Sequence, residues 1–146
     1  MILDERSEFV DAVAVPTTLN ANAPLGDVID LGTGGQKVGS GDYDDFYVSV
    51  DTAITGATSV EFKLVSDAQD PIVAATATVH GSTGAIPVAQ LTAGAVFSFQ
   101  LPKGFNYERY LGLVVVVVGT VTAGKINSGL AAEAGGWKAI TSHTGF

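Results

Sequence analysis

The sequence predicts an all-β fold, a jelly-roll β-sandwich of about eight antiparallel strands with extended N- and C-terminal arms. Three observations carry this. Glycine, threonine, valine and alanine dominate, and helix signals are nearly absent. Turn clusters recur at roughly the 8–12-residue spacing expected of sandwiches and barrels. Several segments alternate apolar and polar residues, and one, Val114 to Val118, is five valines in a row. A β-branched run disfavours helix and favours a pleated strand. It also lacks the alternation of a half-exposed strand, so both its faces should be covered. A second sheet would supply one cover; a partner protein, a second copy or the chain's own arm would supply the other. Strands joined mostly by antiparallel turns fit a two-sheet jelly roll, with an up-and-down barrel as the alternative.

Each element has its own reason. Residues 1–23 interleave Ile2, Leu3, Phe9, Val10, Val13 and Val15 with acids and show no clean period. This predicts an arm with a short helical piece within Asp4 to Ala12, ended by Pro16. The sandwich is expected over residues 24–132. Val28 to Leu31 follows a turn at Pro24 to Asp27. Phe46 to Asp51 puts Phe46, Val48 and Val50 on one face. Val60 to Val65 sends Val60, Phe62 and Leu64 inward and Glu61 and Lys63 outward. Ile72 to His80 reads as a strand of small residues. Ile86 to Val88 contains Pro87 and belongs on an edge. Phe97 to Leu101 alternates and ends at the Pro102-Lys103-Gly104 turn. Tyr107 to Gly119 is the long strand with the valines. Thr122-Ala123-Gly124 turns the chain into a last strand, Lys125 to Ala132. Residues 133–146, with the only tryptophan, Trp137, form the C-terminal tail.

Composition bounds the function. The chain of 146 residues suits one domain with a real core. Its longest apolar run, Leu111 to Val118, is far short of the ~20 residues that span a bilayer, and its acidic opening lacks the apolar region of a secretory signal. No membrane partner is expected. Without cysteine there is no disulfide, thiolate nucleophile or zinc–thiolate site. Ten of the fifteen acids but two of the seven bases lie in residues 1–51, so the net charge of −8 belongs to that third. An acidic surface repels phosphate, and no nucleic-acid partner is expected. Most of these acids read as solubilising loops; the N-terminal segment reads as a surface that meets a partner.

The chemical motifs fail one by one. Gly32-Thr33-Gly34-Gly35-Gln36-Lys37 resembles a phosphate loop, but Gln36 precedes Lys37, Val38 follows it, and no helix is predicted. Asp42, Asp44 and Asp45 offer oxygens for calcium without the EF-hand spacing. His80 and His143 lack a metal-ligand cluster or a Gly-x-Ser-x-Gly elbow and read as surface imidazoles. Glu61 and Glu108 could be posed as a glycosidase pair, yet Glu61 sits two residues from Lys63 and reads as half of an ion pair. No cofactor, metal site or small-molecule substrate is expected, and the chain reads as a non-enzyme. Tyr107, Arg109 and Tyr110 weigh differently, because Tyr and Arg are enriched in binding hot spots.

Met1-Ile2-Leu3-Asp4-Glu5-Arg6-Ser7-Glu8-Phe9, Leu64-Val65-Ser66-Asp67-Ala68, the segment His80 to Val88 and Tyr107-Glu108-Arg109-Tyr110-Leu111-Gly112 together resemble the small capsid cement (decoration) proteins of short-tailed bacteriophages. The resemblance runs in order from Met1 to about Leu130. It implies a jelly-roll homodimer without cofactor. Such a protein is made in the host bacterial cytoplasm and sits on the outer surface of the virion. There it clamps neighbouring subunits of the major capsid protein. The contact residues expected are Ile2, Leu3, Arg6 and Phe9 in the arm, with Tyr107, Arg109 and Tyr110. The competing expectation is a carbohydrate-binding jelly roll on a virion surface, using Trp137 or the Asp42–Asp45 loop.

Overall fold

Two long strands dominate the architecture, β3 (Asp45–Asp67) and β7 (Tyr110–Ala131), paired antiparallel along nearly their whole length. The computed structural model describes residues 8–15, 24–31, 45–101 and 107–131. Among the described residues, five shorter strands complete the order: β1 (Glu8–Ala14), β2 (Leu25–Asp30), β4 (Thr78–Ser82), β5 (Ile86–Pro87) and β6 (Val96–Gln100), with a 3-10 turn, Val88–Gln90, after β5. Every strand pairing is antiparallel.

The register shows how this ribbon becomes a sandwich. Residues 45–50 of β3 pair with residues 126–131 of β7, and residues 59–67 of β3 pair with residues 110–118. Between them the register shifts four times, from Val50 to Ser59. Such shifts, bulges or breaks in the ladder, bend and twist the strands. The first half of the ribbon takes β1 against β7 and β6 against β3. The second takes β2 against β7 and β4 against β3. One sheet is therefore β1, late β7, early β3, β6, and the other is β2, early β7, late β3, β4. Counting each long strand as two segments gives four in each sheet, with the two-residue β5 paired to late β3 as a ninth, an all-β sandwich of the kind expected from the sequence.

One hydrophobic core lies between the halves. It joins Phe9, Val10, Phe46, Val48, Val50 and Ile126 of the first sheet to Val60, Phe62, Leu64, Leu111, Leu113, Val115 and Val117 of the second. The alternation read in β3 and β6 is the one that packs: Phe46 stacks on Phe99 with centroids 4.9 Å apart. The valines split by face. Val115 and Val117 enter the core, whereas Val114 joins Val65 and Ile72 in a small outer cluster. The outer cover at Val114 is thus the chain's own Ile72 segment. It fits because Gly112 has no side chain: a Cβ there would stand 2.8 Å from Ile72 Cδ1. Farther along, Val118 is 53 % exposed, so the run is not covered on both faces throughout.

Four expectations about elements change, the first being that Leu25 to Asp27, read as turn, already belong to β2, with Leu25 paired to Leu113. Residues 8–14 are a strand rather than a helical piece. The shift between Glu8 and Val10 buries both Phe9 and Val10, which a helix end cut short by Pro16 could not do. Residues 72–77 are turn rather than strand. The Asp67 carboxylate accepts the amides of Gln69 and Val73, both at 3.2 Å, and holds the chain in a bend. The break expected at Thr122-Ala123-Gly124 is a bulge inside β7, which continues to Ala131. Pro87 lies in the short β5 beside β3, as read.

Candidate functional site

Two groups of candidate side chains lie close together, at the lead-in to β7. The first is an exposed platform. Arg109 donates Nε to Asp30 Oδ1 and Nη2 to Asp30 Oδ2, both at 2.9 Å. This is the two-pronged fit of a planar guanidinium to a carboxylate. The Arg109 guanidinium carbon also sits 5.0 Å from the centre of the Tyr110 ring, within cation–π range. Asp30 pairs in register with Tyr110 across β2 and β7, which puts the three side chains together. Both members of the ion pair are more than two-fifths exposed. The platform is held in a fixed shape while facing solvent.

The second group centres on a buried serine. Ser66 occupies the inward register after Val60, Phe62 and Leu64, opposite Leu111, and is fully buried. Its Oγ lies 2.6 Å from His80 Nε2 and accepts the Glu108 amide at 3.2 Å. The His80 ring packs on Tyr107, centroids 4.1 Å apart. Thr78 Oγ1 donates to Glu108 Oε1 at 2.6 Å. Burial pulls the His80 pKa below the ordinary imidazole value, more strongly than the nearby Glu108 carboxylate pulls it up. The surface imidazole expected at residue 80 is therefore a half-buried, hydrogen-bonded one. One signal in the sequence pointed there: Ser66 is the polar residue that breaks an inward apolar series.

The residues expected to make outside contacts divide. Arg109 and Tyr110 form the platform. Phe9 is 1 % exposed and packs 6.1 Å from Phe46; Tyr107 is also 1 % exposed. Both are core side chains, so neither presents a surface from this fold. Phe9 is drawn inward by the β1 bulge. Tyr107 precedes β7 and folds under it onto His80. Ile2, Leu3 and Arg6 lie outside the described residues, as do the Gly32–Lys37 loop, Asp42, Asp44, Trp137 and His143. Asp45 opens β3 and is buried.

Glu61 and Glu108 have structural partners of their own. Glu61 Oε1 is 3.8 Å from Lys63 Nζ, and the same carboxylate accepts the Ser82 hydroxyl. Among the described residues, no three or more His, Cys, Asp or Glu converge as metal ligands. On the outer face of the other sheet, Tyr47 is pushed up to about 12, chiefly by burial and then by Glu8 and Asp11. The described clefts are open. One of about 390 Å³ lies between the sheet edges, against Ser82, Thr83 and residues 96–99 of β6. Another, about 190 Å³, is lined by Glu8, Asp11 and Asp27 with Phe9 and Val10.

No curated protein matches the chain. The Bbp16 family model matches residues 9–130, from the second residue of β1 to the penultimate residue of β7. The match takes in both sheets and the β7 lead-in, and the chain belongs to the Bbp16 family, a phage-like protein family.

Proposed function

We propose that this chain is a capsid cement protein. It would bind the outer surface of an icosahedral phage shell and clamp neighbouring subunits of the major capsid protein, as a homodimer and without a cofactor. The observation that carries the reading is the ordered resemblance of the sequence to phage decoration proteins from Met1 to about Leu130; the family match spans the same stretch without naming a capsid role. The geometry supports it in two ways. Most of the buried apolar side chains of both sheets join one core, and the described clefts are shallow and open, which suits a rigid block. The Arg109–Tyr110 platform supplies the residue types that dominate binding hot spots, already fixed by Asp30, so little side-chain freedom is lost on contact.

The mechanism is mechanical. A rigid block bound to two adjacent capsid subunits must be released from one of them before they separate. Its binding energy thereby adds to the shell's resistance to internal pressure. The test is sedimentation of purified protein with shells assembled from major capsid protein alone. Saturable co-sedimentation, with a higher temperature of shell disruption, is expected. Protein that stays in the supernatant at micromolar concentration overturns the reading.

A further inference from the structure

The cluster beneath the platform ties three separate segments together. Ser66 belongs to the end of β3, Thr78 and His80 to β4, and Tyr107 and Glu108 to the lead-in of β7. Ser66 Oγ stands at its centre. A hydroxyl has one hydrogen to donate and two lone pairs that accept. One lone pair is taken by the Glu108 amide. With neutral His80, the Ser66 hydrogen can point at Nε2, and the amide bond is undisturbed. A protonated imidazole carries hydrogens on both ring nitrogens and can only donate. Nε2–H must then take the second lone pair, and the Ser66 hydrogen, in a fully buried site, loses its acceptor. An unmatched buried donor is costly.

We propose that Ser66, His80 and Glu108 form a proton-sensitive clasp. With His80 neutral it fixes the lead-in of β7 against the second sheet; when the ring takes up a proton it loosens. Among the described residues, Ser66 Oγ bonds to His80 and the Glu108 amide, and the titratable and charged groups on the packed elements are engaged elsewhere. On β3, the Asp67 carboxylate is bonded to the Gln69 and Val73 amides. On the lead-in, Glu108 receives Thr78, Arg109 is turned to Asp30, and Tyr107 presents its ring face. Burial outweighs the attraction of Glu108, so the folded chain holds the His80 proton less tightly than an unfolded chain does. With the folded value depressed, stability is complete above the ordinary imidazole pKa of about 6.5 and falls as pH drops below it through the folded value. Because residues 107–110 carry both the clasp and the platform, acidification would free the platform first.

The test is residue-resolved NMR on the whole chain between pH 7.5 and 5. It follows the His80 ring carbons and the protection of the Glu108 amide, corrected for intrinsic exchange. The expected result is that His80 titrates below the ordinary imidazole value and that Glu108 protection falls severalfold over the same interval. In His80→Gln, which cannot take up the proton, that fall should vanish. A His80 titration at or above the ordinary value overturns the proposal. So does Glu108 protection that ignores His80 protonation, or the same fall persisting in His80→Gln. Should the variant not fold, the wild-type titration alone decides between these outcomes.

Discussion

Glycine 81 is where one methyl group would be felt most directly. It lies on β4, in register with Leu64, and a Cβ there would run into the Phe99 ring of β6, which belongs to the other sheet. Phe99 is in turn stacked on Phe46, so it has little room to retreat. Gly81→Ala should therefore prise the β4 and β6 edges apart and destabilise the fold by about 1–3 kcal/mol, the usual cost of overpacking. Urea unfolding followed by tryptophan-independent circular dichroism measures this. An unchanged midpoint would mean that the two edges do not press on each other as described. Ser66 makes the opposite point at the same scale. Its hydroxyl in a core position is tolerated because it has partners on both sides, His80 and the Glu108 amide.

The two long strands raise a different question, which is how one ribbon serves two sheets. The corner lies where Thr52, Thr55 and Ala57 of β3 meet Lys125, Ala123 and Gly119 of β7. Three residues of β7, 120–122, stand against the single Gly56. Gly56 and Gly119 have φ of 90° and 93°, a region closed to most side chains. At Gly56 a Cβ would also approach the Thr122 hydroxyl to 2.7 Å. Thr55 and Thr122 hydroxyls bond across the corner at 3.0 Å. Gly119→Ala should cost about 1–2 kcal/mol through backbone strain of this kind. Thermal melting should show the loss, while the far-ultraviolet spectrum stays that of a β-protein. A melting temperature equal to the parent's would argue that the corner is made elsewhere.

For the whole molecule, the consequence of this topology is that the β7 lead-in rests on the second sheet and shows one side to solvent. Arg109 and Tyr110 are on that side; neither belongs to the main core, although Tyr110 also packs against the small outer cluster of Val65, Ile72 and Val114. The double variant Arg109→Ala, Tyr110→Ala should thus keep the fold, melting a little below the parent for the lost Tyr110 packing, yet co-sediment with capsid shells at least tenfold more weakly, the loss typical of a hot-spot pair. Parent-like shell binding by a folded double variant would move the contact surface to another part of the molecule. Phe9 and Tyr107 are unsuitable for such a test, because truncating either opens the core.

The sequence by itself determined the all-β class, the inward alternation of β3 and β6, the edge position of Pro87 and the pairing of Glu61 with Lys63. These follow from local periodicity, proline's missing donor and side chains two apart on one strand face, none of which needs a distant partner. It also picked out Arg109 and Tyr110 by residue type. The tertiary structure decided the rest. β3 and β7 are each one strand and not two, because glycines at the corner let a bulged ribbon turn without breaking its ladder. Residues 8–14 became a strand because β7 offered an edge to pair with. Residues 72–77 became a turn because Asp67 captured their amides and Ile72 found a seat over Gly112. Phe9 and Tyr107 went inside, and His80 met Ser66 and Glu108, because strands distant in sequence converge at one end of the sandwich. Local pattern records which way a side chain points along its own strand, but what it meets there is set by the other sheet.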